Sequence, residues 1–159
     1  MTIPQGGANG VILSQAGRFG GWSLYLKDGK PIYAYNFLGL KTTKVAGTEV
    51  LPEGKATIRF DFTYDGPGLG KGGTGIILVN GKKVAEGKID RTQGGIFSAD
   101  EGADVGQDGE TPVSDDYKQG DNKFTGKIHK VTIDVGPVKL AAADNEELQR
   151  TKIARKVAE

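Results

Sequence analysis

Two dipeptides constrain this chain more than any other feature. In WSLYLKDGKPIYAYNF (22–37), alternating runs flank Asp28-Gly29; in TGIILVNGKKVAEGKI (74–89), two more flank Asn80-Gly81. Asp-Gly and Asn-Gly favour the positive φ angles of a type I′ turn, whose twist matches that of paired strands. The first turn therefore sets Leu26 opposite Pro31, Leu24 opposite Tyr33 and Trp22 opposite Tyr35. Trp22, Leu24, Leu26, Tyr33 and Tyr35 then share one face, expected to be core, and Ser23, Tyr25, Ile32 and Ala34 the other. The second turn sets Val79 opposite Lys82.

The same period of two recurs in ATIRFDFTYD (56–65). Ala56, Ile58, Phe60, Phe62 and Tyr64 fall on one face, opposite Thr57, Arg59, Asp61 and Thr63, as in a half-exposed antiparallel strand. GVILSQAG (10–17) and KTTKVAG (41–47) add strands, and FTGKIHKVTIDV (124–135) reads as one more, with a bulge near His129 and Lys130 to reconcile its parity. Gly makes up 26 of 159 residues, well above an average of about 7%, and punctuates these runs with turns. Eight or more short strands without helical spacers predict an all-β antiparallel sandwich. It is expected over 10–136, after an N-terminal tail (1–9). A helical C-terminal tail (137–159) should follow, its start marked by Asp144 and by Glu147 three residues on.

Composition narrows function by exclusion. With no Cys there are no disulfides or thiol nucleophiles, and one His, His129, rules out sites built on several imidazoles. Basic and acidic side chains number 21 and 20, so no net field draws nucleic acid or an anionic membrane surface. No apolar run approaches the roughly 20 residues of a membrane-spanning helix. The N-terminus lacks the layout of an export signal, which leaves cytoplasm or periplasm open.

The run DEGADVGQDGETPVSDDY (100–117) holds seven carboxylates and no Lys or Arg. Like charges at this density need an offset from water, salt or a bound cation. Asp104, Gly106, Asp108 and Glu110 suggest a calcium loop with oxygens at alternate positions. The EF-hand pattern fails, however, because Asp115 stands where the closing Glu belongs. An irregular Ca²⁺ site with Asp100, Asp104 and Asp108 as ligands is one reading; a solvated connecting loop that borders a neighbouring domain is the favoured one.

GPGLGKGGTG (66–75) satisfies G-x-G-x-x-G, but a strand follows where a phosphate cradle needs a helix N-terminus, and Gly72 follows Lys71 where a P-loop needs Ser or Thr. It reads as a loop between strands. His129 has no visible nucleophile beside it, so a surface or structural role is expected.

GVILSQAGRFGGWSLYLKDGKPIYAYNFLGL, LPEGKATIRFDFTYDGPGLGKGGTGIILVNGKKVAEGKI, IFSADEGADVGQDGETPVSDDY and FTGKIHKVTIDV resemble, in order, the C-terminal region of large bacterial arylsulfatases. The resemblance implies a jelly-roll, concanavalin A-like β-sandwich following a catalytic sulfatase domain. That domain carries the family's formylglycine, calcium and sulfate-binding residues, and none has a counterpart here. SQAGR (14–18) has Ser and Arg at the spacing of the sulfatase nucleophile motif, but Ala16 replaces its Pro. The expected function is thus a non-catalytic accessory domain of a sulfuric ester hydrolase. It would serve domain packing, cleft shaping or oligomerisation, with the catalytic domain or a second copy as partner. The alternative is a lectin-like carbohydrate-binding module, for which Tyr25, Phe37, Tyr117 and Phe19 are the candidate stacking rings. A hydrolase sandwich would carry Glu-x-Asp-x-x-Glu along a strand, and no such run exists.

Overall fold

In the computed structural model, which describes residues 1–98, 101–136 and 146, both two-residue turns form as their sequences dictate. Asp28 and Gly29 take φ of 51° and 72°, and Asn80 and Gly81 take 51° and 83°, the type I′ signature. Strands β1 (Thr2–Ile3), β2 (Gly10–Gly17), β3 (Gly20–Lys27), β4 (Lys30–Phe37), β5 (Lys41–Ala46) and β6 (Gly54–Lys55) occupy the first part of the chain. β7 (Ile58–Tyr64), β8 (Gly73–Val79), β9 (Lys82–Ile89) and β10 (Ala103–Val105) follow. Every pairing is antiparallel: a five-stranded sheet β10-β2-β3-β4-β5, a three-stranded sheet β7-β8-β9 and the small pair β1-β6.

The register of β3 with β4 is the expected one, with Leu26, Leu24 and Trp22 opposite Pro31, Tyr33 and Tyr35, and Val79 faces Lys82 across the second turn. The five- and three-stranded sheets pack face to face as a sandwich. Leu24, Leu26, Tyr33, Tyr35 and Val45 on the larger sheet meet Ile77 and Phe60 on the smaller. Rings form a row through the layer: Trp22 stacks near Tyr33, Tyr33 lies 3.5 Å from Phe60, and Phe62 and Tyr64 continue the row along β7. Stacked aromatic pairs add about 0.5–1.5 kcal/mol beyond their buried area.

Glycines of β8 and β9 make room for this row. A Cβ on Gly75 would lie 2.7 Å from the Phe60 ring, one on Gly73 would strike the Phe62 ring, and one on Gly87 would lie 2.8 Å from Val45. The C-terminal end of GPGLGKGGTG is thus a strand whose missing side chains admit rings. Its remaining turn folds over Tyr64, whose hydroxyl donates to Gly68 O at 2.6 Å and accepts from Lys71 N at 2.9 Å.

Three expectations need correction. Residues 1–9 are not a tail: Ile3 and Ala8 are each 1% exposed, β1 pairs with β6, and the Met1 amino group donates to Ala56 O at 2.9 Å. The run 124–135 is not a regular strand. It is irregular backbone tied at one isolated bridge, Thr2 with Lys127, with a second just before it, Val11 with Lys123, while Ile128 and Val131 lean on the core without a ladder. Thr2 and Lys127 exchange backbone hydrogen bonds of 2.8 and 3.0 Å, so the run does meet the open edge of β1, but β1 is only two residues long and the pairing stops at that one bridge. Third, the second face of the β3–β4 hairpin is as buried as the first, with Tyr25 1%, Ser23 0% and Ala34 0% exposed. The expected C-terminal helix lies outside the described residues apart from Glu146, which is helical.

Candidate functional site

The cover over that second face is the acidic run itself. Val11, Tyr25 and Ala34 form a small second core, closed by Ile32 and by Tyr117, whose ring meets Tyr25 edge-on at 5.2 Å. Val113 and Ser114 are 2% and 3% exposed, so the run is anchored in the interior at these residues and at Asp108, while Gln107, Glu110 and Asp115 face solvent. Sequence alone missed this because the run has only Val113 and Tyr117 as large apolar anchors, Val105 being 55% exposed; its other ties are polar.

The carboxylates are offset by donors from far along the chain. Asp116 accepts from the Tyr25 hydroxyl at 2.5 Å and from Lys27 Nζ at 2.7 Å, and lies 3.0 Å from Lys44 Nζ. Asp115 accepts from Lys44 Nζ at 2.6 Å. Burial works to raise the Asp116 carboxyl, but the bonds from Lys27, Tyr25 and Lys44 outweigh it and hold it down at about 2. The Tyr25 phenol is pushed up, first by burial and then by its bond to Asp116. Glu101 accepts from the Thr111 amide at 3.0 Å and hydroxyl at 2.7 Å, which pins the strand-like start of the run to its middle.

Among the described residues Asp108 is the most enclosed acid, 2% exposed. One oxygen accepts both from Val113 N at 2.9 Å and from the Tyr117 hydroxyl at 2.6 Å. Asn122 closes the loop around it, accepting from Asp108 N and donating to Asp108 O, both at 2.9 Å. Burial raises the Asp108 carboxyl against these bonds, helped by the carboxylates of Asp104 and Glu101. Burial likewise raises the Tyr117 phenol, with the Asp108 bond second.

Of the three residues considered for Ca²⁺, Asp100 lies outside the described residues. Asp104 accepts from Gly109 N at 2.9 Å, and Asp108 holds the two donors above. Among the described residues no three His, Asp or Glu side chains converge as a metal cage would require.

Comparison with protein-family models, with curated proteins and with solved structures finds no match to this chain.

The four rings considered for sugar stacking separate cleanly. Tyr25 is inside the second core and offers no free face; Tyr117 is half-buried against it, and the hydroxyl of each is bonded to a carboxylate. Phe37 is half-buried beneath the Arg91 guanidinium, 5.1 Å from the ring centre. Phe19 is 75% exposed in the β2–β3 turn. His129, also exposed, shares a hydrogen bond of 2.8 Å with the Thr2 hydroxyl.

Phe19 belongs to an apolar end of the sandwich. A Cβ on Gly20 would be 3.4 Å from both Leu38 Cα and the Phe97 ring, so the β2–β3 turn, the β4–β5 turn and the 91–98 loop meet there. Leu40 and Ile96 on these loops are 80% and 76% exposed. Hydrogen bonds hold the loops in place: Gln93 N donates to the Tyr35 hydroxyl at 2.7 Å, and Gly39 N to Asn36 Oδ1 at 2.8 Å. No charge spacing or periodicity marks these residues, because each sits in a turn and only the fold gathers them.

Proposed function

We propose that this chain is a non-catalytic accessory domain of a bacterial arylsulfatase, a sulfuric ester hydrolase, and that it docks on the catalytic domain through its apolar end. The observation that carries the docking is the exposure of Phe19, Leu40 and Ile96 on three loops that meet and are internally braced. Apolar side chains gathered on a firm surface mark a contact with another protein surface more often than scattered ones do. The sulfatase assignment rests on the sequence resemblance. The carboxylates that could have formed an acid–base pair instead brace the back layer against Tyr25, Lys27, Lys44 and the 108–113 backbone. A lectin-like carbohydrate-binding role is the second reading, favoured by the open Phe19 ring.

Two measurements test the first reading. Purified chain incubated with nitrophenyl or nitrocatechol sulfate should release no phenol; turnover by the isolated chain would end the accessory role. The reading frame upstream of Met1 should encode a Cys/Ser-x-Pro-x-Arg sequence. When that upstream domain is produced separately, it should bind this chain, and Phe19→Ser with Leu40→Ser should weaken the complex at least about tenfold, the effect of losing about 1.4 kcal/mol. An upstream frame without the motif would refute the parentage, and undiminished binding by the double variant would refute the docking face.

A further inference from the structure

A cleft of about 560 Å³ opens on the back of the five-stranded sheet, between the turns that follow β2 and β4 and the 112–119 run. We propose that it binds a small hydroxylated anion, a sugar bearing a carboxylate or a sulfate, with Arg18 and Lys118 as the groups that recognise the charge. Its volume lies within the range of about 300–1,000 Å³ typical of small-ligand sites.

The argument begins with charge. Both cations line the cleft, and among the described residues no carboxylate is in ion-pair contact with either. The one acid on the lining, Asp115, is already matched, as are Asp116 and Glu101 behind it. Asp115, on the cleft wall, is paired with Lys44 at 2.6 Å; Asp116 holds Lys27 and Lys44; Glu101 holds Thr111. The matched acids leave Arg18 and Lys118 as the unanswered charges of this wall. An arginine beside a lysine on a fixed surface suits an oxyanion, since the guanidinium fork fits two oxygens of a carboxylate or sulfate.

The cleft is also built in advance of any ligand. Asn36, 5% exposed at its floor, donates from one amide nitrogen to Arg18 O at 3.0 Å, Val113 O at 3.2 Å and Gly17 O at 3.4 Å, and accepts from Gly39 N at 2.8 Å. One buried carboxamide thus ties together the β2–β3 turn, the β4–β5 turn and the acidic cover, which are the three walls. Arg18 N donates in addition to the Thr111 hydroxyl at 2.9 Å. Walls fixed this way spare a ligand the entropy of ordering them. Thr42 and Gln119 add a hydroxyl and a carboxamide to the lining, and the Tyr117 ring adds an apolar surface. That mixture matches a ring with hydroxyls on its rim better than an aliphatic acid.

The proposal stands apart from the accessory-domain reading, because Phe19, Leu40 and Ile96 do not line the cleft. The test titrates the full chain with glucuronate, glucose 6-sulfate and glucose, followed by calorimetry and by amide NMR shifts. At least one charged sugar should bind saturably in the millimolar range, shift the amides of Thr42 and Gln119, and bind at least about tenfold more tightly than glucose. The arm that binds identifies the anionic group. Arg18→Gln and Lys118→Gln should each weaken binding about tenfold, as the loss of a charge-assisted hydrogen bond does. Both side chains are exposed, so the fold should persist, with the Asp28-Gly29 hairpin amides unmoved. Absence of saturation with both charged sugars, equal affinity for glucose, or unchanged affinity in the double variant would overturn the proposal.

Discussion

Replacing Asp116 by Asn isolates what charge contributes to closing the back layer. The Asp116 side chain is 15% exposed and receives Tyr25, Lys27 and Lys44. Its carboxyl is held at about 2 in the folded chain against an ordinary 3.8, and at about 1.36 kcal/mol per pH unit that gap is worth about 2.5 kcal/mol at neutral pH. Water reaches the network from the lysine side, where Lys27 and Lys44 are 46% and 31% exposed, so screening lowers the expected effect to about 1–2 kcal/mol. The sign follows from the depressed value. The contribution is complete above the unfolded carboxyl range and is lost as pH falls through about 2. Asn has the same shape and still accepts from Tyr25, while its amide nitrogen stands where an oxygen accepted from Lys27, so the charge and that one acceptor are removed together, as they are when Asp116 is protonated. Urea unfolding read by Trp22, the single tryptophan, should show the variant weaker by about 1–2 kcal/mol at pH 7 and nearly equal to the parent at pH 2. Equal losses at both pH values, or none at pH 7, would refute the electrostatic account of this layer.

Two further outcomes follow from the packing. Asp108→Ala strands the buried Val113 amide and Tyr117 hydroxyl and should cost about 2–4 kcal/mol, whereas Asp108→Asn keeps the acceptor. Because burial raises the Asp108 carboxyl, its ionisation subtracts stability as pH climbs above about 3.8, so the Asn variant should gain on the parent from pH 3 to pH 7 in thermal melts. Gly75→Ala drives a methyl group against Phe60 and should cost about 1–3 kcal/mol in urea midpoint shifts, with most of the loss recovered when Phe60→Leu is added.

The front of the molecule was legible because its determinants are local. The Asp-Gly and Asn-Gly turns fix register within sixteen residues, and period-two alternation then assigns faces, so Trp22 to Tyr35 and Ala56 to Tyr64 fall where their pattern puts them. The back was illegible for the opposite reason. Tyr25 meets Asp116 and Asn36 meets Val113 only through the fold, and an acidic, glycine-containing run carries no period that would announce a buried layer. The same holds for FTGKIHKVTIDV: its β-branched residues favour extended backbone, but the edge it meets belongs to β1, two residues long, and offers the single bridge of Thr2 with Lys127. Arg18 and Lys118 are far apart in sequence, so their shared cleft could not be read from spacing.

The cover also orders events in time. Its bonds to the sheet join residues 71 to 94 positions apart, from Lys44 with Asp115 to Ile12 with Gly106, whereas the hairpins join near neighbours. Closing so large a loop carries an entropic cost that local turns avoid, which slows the contacts that depend on it. A chain growing from its N-terminus can therefore pair β2 through β5 well before residue 117 exists, and in that interval Tyr25 and Ala34 face outward. The acidic run is the last piece of this wall to be laid. Once the run is made but not yet docked, its surplus of negative charge makes two copies repel wherever their undocked covers meet, a built-in discouragement to aggregation before the wall closes.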